Sequence, residues 1–239
     1  MSGHSHFKTI KHEKAISDQK RGKIFSKISQ AIALAIKNNG SNPVTNSVLK
    51  NLLEEAKKAN MPKDTVERAM KKGEGTLGGA TLEEVIYEAF GPGGTSLIIE
   101  AITDNKNRSL GEVKKILSDH SGKLANEGSV RWGFDKKGII VIDPEENKLG
   151  EELELKVIEA GAEDIVKEND SLSIYTQPEK LNEVKQNLEN AGIKISSTFL
   201  GWKPKEMVGL EAKDKEAFEK LLEALDENDA VQNVYSNIK

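Results

Sequence analysis

Along the first third of the chain, apolar residues recur at intervals of three and four, and past residue 81 they shift to short runs and alternation. Ile24, Phe25, Ile28, Ile32, Ala35 and Ile36 fall on one side of a helix at about 100° per residue. Ser17 or Asp18 can cap that helix, and KNNG (Lys37 to Gly40) ends it with a cation followed by Gly. A second helix is predicted from about Asn46 to Ala59, with Val48, Leu49, Leu52, Leu53 and Ala56 inward. NMPKDTVERAMKKG (Asn60 to Gly73) predicts a third, starting at Pro62, stopping at Gly73, and packing through Val66, Ala69 and Met70. Three helices with short connections make a small bundle.

GEGTLGGAT (Gly73 to Thr81) reads as a linker. It matches GxGxxG at Gly73, Gly75 and Gly78, but it follows a helix instead of a strand and opens no helix, so the dinucleotide reading fails. VIYEAF (Val85 to Phe90), GPGG (Gly91 to Gly94) and TSLIIEAIT (Thr95 to Thr103) predict a β-hairpin. A helix from Ser109 to His120 follows, then a Gly-marked loop to Ser129.

Strand Gly138–Ile142, helix Glu151–Ala160, strands Glu163–Lys167 and Leu172–Thr176, helix Pro178–Ala191 and strand Ile193–Phe199 give the ferredoxin-like order β-α-β-β-α-β. The tail reads as strand Met207–Leu210, helix Lys213–Leu225 and strand Val231–Ser236. The hairpin unit and the tail each lack sheet partners, so they are expected to combine. The predicted fold is α+β with three domains: a basic helical bundle (1–78), a discontinuous α/β domain (79–131 with 206–239), and a ferredoxin-like domain inserted in it (132–205).

Charge sharpens this division. The 239 residues carry 35 Lys+Arg against 39 Asp+Glu, a net charge of −4. Residues 1–74 hold 15 cations and 7 carboxylates, net +8, and the other 165 residues are net −12. Such asymmetry points to a polyanion-binding head on an acidic body. The densest stretch is KHEKAISDQKRGKIFSK (Lys11 to Lys27). Lys8, Lys11, His12, Lys14, Lys20, Arg21, Lys23 and Lys27 are the candidate phosphate contacts, with Lys20, Lys23 and Lys27 spaced as a ridge beside the apolar stripe. The plain alternative is a solvated lysine face. ITDNKNRS (Ile102 to Ser109) offers a second candidate surface through Lys106 and Arg108, against the alternative of a polar turn in which Ser109 caps a helix. With only four Arg in the chain, phosphate contact is favoured over base reading.

Other chemistry is scarce. The absence of Cys excludes disulfides, thiolate catalysis and sulfur-ligated zinc. No HExxH, GxSxG or P-loop occurs, and the carboxylates sit at exposed helix spacings. No catalytic residues and no small-molecule substrate are therefore expected. With Met1 removed, Ser2-Gly3-His4 can hold Cu(II) or Ni(II) in a square of nitrogens, a chemistry open to any chain that begins this way. No apolar run approaches the ~18 residues that span a membrane, and a cytoplasmic location is expected.

GHSHFKTIKHEKAISDQKRGKIFSK, NMPKDTVERAM, YEAFGPGG, TDNKNR and GSVRWGF, in that order, resemble the YebC/PmpR family over essentially the whole chain. The family also includes the mitochondrial translational activator of cytochrome c oxidase subunit I. The resemblance implies a helical domain followed by two α/β domains, one of them ferredoxin-like and inserted in the other. It also implies no enzymatic activity and no cofactor. Many members are described as probable DNA-binding transcriptional regulators, and others act in translation at the ribosome. This sequence departs from the usual GHSKW opening at His6 and Phe7, and Glu13 stands where a basic residue is expected, so formal charge is lost there. The expected function is a cytoplasmic nucleic-acid-binding regulator of gene expression. A ribosome- or RNA-bound translation factor is the first alternative, and an adaptor with protein partners the second.

Overall fold

A computed structural model describes residues 18–78, 81–142, 147, 150–168 and 171–239. They form two compact units, residues 133–207 and residues 18–132 together with 208–238.

The larger unit opens with α1 (Asp18–Asn39), α2 (Ser47–Lys58) and α3 (Lys63–Gly73). The predicted stripe of α1 packs against Leu49, Ala56, Met61 and Ala69. Asn46 caps α2 by accepting from the Leu49 N–H at 3.0 Å. Its amide donates to the carbonyls of Ala35 (2.9 Å) and Gly40 (2.8 Å), which ties the start of α2 to the end of α1. Val48, expected inward, lies at the edge of the α2 stripe and is 46% exposed. Gly73 is more than a stop signal, because a Cβ there would lie 2.6 Å from the Ala33 carbonyl oxygen. The last turn of α3 therefore touches the backbone of α1.

Strands β1 (Glu83–Phe90) and β2 (Ser96–Thr103) form the expected hairpin, in register from Glu83↔Thr103 to Phe90↔Ser96. They join the two-residue β3 (Lys123–Leu124) and β8 (Val231–Ser236) in a four-stranded sheet ordered β3-β1-β2-β8. Period-two alternation sends Tyr87, Ala89, Leu97, Ile99 and Ala101 to one face. There they meet Val113 and Leu117 of α4 (Lys106–Asp119) and Phe218, Leu221 and Leu225 of α7 (Ala212–Asp226). On the other face, Ile102, with Leu82 just before β1, packs against Ala33 and Leu34 of α1. Each such buried Leu or Ile side chain is worth about 1.5–3 kcal/mol. The expected strand at Met207–Leu210 reduces to one bridge, Val208↔Ile238.

The smaller unit runs β4 (Phe134–Ile142), α5 (Glu151–Glu159), β5 (Asp164–Glu168), β6 (Ser171–Thr176), α6 (Leu181–Asn190) and β7 (Ile195–Pro204). Its antiparallel sheet is ordered β5-β6-β4-β7, with α5 and α6 packed on Ile140, Ile142, Leu172 and Ile174. β4 starts four residues before its expected Gly138, and β7 extends five beyond Phe199, because the added segments pair with each other from Phe134↔Pro204 inward. The fold is mixed α+β, with two antiparallel sheets and seven α-helices among the described residues.

Candidate nucleic-acid interface

Lys8, Lys11, His12 and Lys14 lie outside the described residues, as does Ser2-Gly3-His4. Lys20 belongs to α1, and Arg21 is exposed on it. The rest of the predicted ridge does something else. Lys23 donates to the Glu227 carbonyl at 3.2 Å, and Lys27 is 2% exposed. The Lys27 ammonium donates to both the carbonyl and the carboxylate of Asp226, each at 2.8 Å. Burial pushes Lys27 below the usual lysine range, with Asp226 opposing the shift. Lys27, expected as a phosphate contact, is held in an internal ion pair. Further along the same line of α1, Gln30 accepts from Gln232 at 3.3 Å, and Leu34 packs with Ile102. Positions 23, 27, 30 and 34 are one face of the helix, and that face is docked on the rest of the unit.

The TDNKNR segment is a helix start. The Asn105 side chain accepts from the Arg108 N–H at 3.1 Å, so α4 begins three residues before the expected Ser109, which is buried within it. Lys106 and Arg108 project from this first turn and are more than half exposed. Lys106 pairs with Glu83 at 2.6 Å, and Arg108 pairs with Asp104 at 2.6 Å. The hydrogen bond from Lys106 holds the Glu83 carboxyl below the usual glutamate range. Exposed pairs of this kind are weak because solvent screens them, so a phosphate can compete for either cation.

A different set of cations stands open. Arg68, Lys71 and Lys72 are exposed on α3 at i, i+3 and i+4, opposite the packed face of Val66, Ala69, Met70 and Gly73. None of the three forms an ion pair within 4.0 Å among the described residues. Their only signal in the sequence is that the apolar stripe of α3 leaves them on the other side.

The GSVRWGF loop is organised by a carboxylate. Glu88 of β1 is 3% exposed, and its Oε1 accepts from the Gly128 N–H at 2.8 Å. Its Oε2 accepts from the N–H groups of Val130 (2.7 Å) and Arg131 (2.9 Å), and the Arg131 Nε lies 3.5 Å from Oε1. Burial opposes the charge, but the three backbone donors and Arg131 outweigh it and hold the Glu88 carboxyl below its usual range. The clue in the sequence is a lone carboxylate inside the apolar run VIYEAF. Next to this anchor Trp132 is 74% exposed, with its indole N–H donating to the Ser129 carbonyl at 2.9 Å.

In the smaller unit, Asp135, Lys137, Glu163, Asp164, Lys203 and Lys205 line an open cleft of about 430 Å³. Lys137 pairs with Glu163 at 2.6 Å, Lys205 with Asp135 at 3.4 Å, and Lys203 with Asp164. Three cations matched by three carboxylates leave no net attraction for phosphate. No cluster of three metal-ligating side chains occurs among the described residues, and no described helix is long and apolar enough to cross a membrane.

Comparison with known proteins gives a consistent result. Residues 5–76 match the TACO1/YebC N-terminal domain, and residues 82–238 match the TACO1/YebC second and third domains. A probable transcriptional regulatory protein of Thermoanaerobacter pseudethanolicus is 48% identical over 100% of this chain and 97% of its own length. Another, of Caldanaerobacter subterraneus, is 46% identical over 100% and 98%. The crystal structure of a conserved hypothetical protein from Aquifex aeolicus, 44% identical, aligns over 96% of this chain and 95% of that one with a TM-score of 0.89. With helical head, hairpin sheet and ferredoxin-like unit all matched, the chain belongs to the TACO1/YebC family, and these relatives carry the name of probable transcriptional regulatory proteins.

Proposed function

We propose that this protein is a non-enzymatic regulator of gene expression that binds nucleic acid through its basic helical head. The observation that carries the reading is the open ridge Arg68, Lys71 and Lys72 on α3, in a segment of net charge +8 on a chain of net −4. Arg21 and the cations preceding it add to this head, and Lys106 and Arg108 provide a second, exchangeable contact. Lysine dominance makes the binding one of phosphate positioning, with little base reading. The regulator names of the relatives agree with such a role.

The test is a salt titration of affinity for duplex DNA and for single-stranded RNA. Wild type should lose affinity steeply with salt. Joint substitution of Arg68→Glu, Lys71→Glu and Lys72→Glu should flatten the log–log slope by about 2.7 on a duplex, or about 2 on a single strand. A wild type whose weak binding ignores salt would overturn the reading and leave a protein-interaction adaptor. The translation-factor reading is favoured by the exposed Trp132, a side chain better suited to unpaired bases than to a duplex. Affinity for single-stranded RNA above that for duplex DNA supports it.

A further inference from the structure

We infer that Trp132 is a stacking platform for an unpaired nucleobase of a single strand. The inference rests on the nucleic-acid reading and gives it a second point of contact, separate from the cationic helices.

Trp132 is the aromatic side chain left most open among the described residues, 74% exposed. Exposure on that scale leaves apolar area in water, and an ordinary surface loop would not hold such a ring steady. This loop is held. The Glu88 carboxylate receives three backbone N–H groups from Gly128, Val130 and Arg131, and Val130 is 2% exposed beneath them. The residue before Trp132 is therefore fixed at its backbone, and the indole N–H is fixed to Ser129 at 2.9 Å. With its one donor used inside the loop, the indole offers its π face, which every base can stack on irrespective of sequence.

The surroundings choose between a base and a protein partner. Asn126, Glu127, Gly128 and Ser129 are the exposed residues of the loop, and none carries a large apolar side chain. A tryptophan at the centre of a protein interface sits among contacts that exclude water, and this rim does not supply them. Glu127 repels phosphate, and Arg131 is turned toward Glu88, so the loop adds stacking without adding electrostatic attraction. Phosphate attraction comes from the helices α1 and α3 of the same compact unit.

Two oligomers of equal length test this with the full chain: a single strand carrying pyrimidine bases, as RNA and as DNA, and its abasic counterpart with the same phosphates. Wild type is expected to prefer the base-bearing strand by roughly 5- to 150-fold, the range of one base–aromatic stack. Trp132→Ala and Trp132→Leu should bind both oligomers at the abasic level with the salt slope unchanged. Trp132→Phe should recover most of the preference. Quenching of tryptophan emission by the base-bearing strand, absent in Trp132→Phe, reports the stack directly.

If wild type binds with a steep salt dependence but does not distinguish the two oligomers, the stacking inference falls while the cationic head stands. If wild type binds neither oligomer, both fall. If Trp132→Leu keeps the preference, the site is an apolar contact and the inference is wrong. Comparing the ribose with the deoxyribose strand identifies which single strand is taken.

Discussion

Glu88 illustrates how one side chain sets the state of a whole loop. A buried carboxylate is tolerated only where donors surround it, and here the backbone of Gly128, Val130 and Arg131 supplies them. Glu88→Gln keeps the shape but turns an amide NH₂ toward N–H groups, and should destabilise the unit by about 1.5–3 kcal/mol at neutral pH. Because folding lowers the Glu88 pKa, the unfolded chain binds more protons in acid. The stability Glu88 contributes is thus fully present above the ordinary glutamate value of about 4.3. It is lost as pH falls through the lowered folded value. Urea unfolding between pH 7 and pH 3 should therefore show a flatter acid limb for the variant than for wild type. Amide exchange at Gly128, Val130 and Arg131 should be faster in the variant at pH 7. Equal exchange at those three amides would mean that the loop holds itself without the carboxylate.

At the scale of elements, α1 has two buried faces, and only one of them follows the simple stripe. Ile24, Ile28, Ile32 and Ile36 meet α2 and α3, while Lys23, Lys27, Gln30 and Leu34 meet the sheet layer and the end of α7. The run AIALAI (Ala31 to Ile36), apolar all round, signals a helix covered on two sides. What the sequence could not reveal is that Asp226, 199 residues away, would take Lys27 out of solvent. Long-range ion pairing leaves no periodicity behind. Local signals were far more legible: the caps at α2, the hairpin, and the βαββαβ order are all written in neighbouring residues. α4 starts at Lys106 and not at the expected Ser109, because Asn105 and Ser109 are both capping residues and the choice depends on which of them the core buries. The candidate cationic site is half legible, since charge asymmetry marks the head but not which cations the fold engages internally. A consequence is measurable. Lys27→Met should cost about 1.5–3 kcal/mol in urea unfolding, the range for lost hydrogen bonds to a charged group, because the Asp226 left behind is partly exposed. It should leave the salt slope of nucleic-acid binding unchanged, unlike the α3 charge reversals. A slope reduced by the full amount of one phosphate contact would return Lys27 to the interface.

At the scale of the whole molecule, the chain leaves the larger unit once, at residue 133, and re-enters it near residue 208. The two crossing segments are neighbours, because Phe134 pairs with Pro204 and Lys205 donates its N–H to the Gly133 carbonyl at 2.9 Å. An element that begins and ends on paired strands can be inserted into a host, or removed from it, without separating the host's own ends. Its core, with Ile140, Ile142, Val157, Ile174, Val184 and Leu188 nearly or fully buried, draws only on residues of the same unit. The division into two units therefore predicts behaviour that differs from that of a single cooperative body. Residues 133–207 expressed alone should fold, with dispersed amide resonances and a sigmoidal urea transition. The remaining chain, closed across the gap by a short Gly-Ser linker, should keep the β3-β1-β2-β8 sheet, since β8 pairs with β2 from outside the excised segment. The closed chain should also retain salt-dependent nucleic-acid binding, because α3 and its open cations lie wholly within it. Loss of folding in both pieces would make the two sheets one cooperative unit. Loss of binding alone, in a folded closed chain, would assign the ferredoxin-like unit a direct part in the interface.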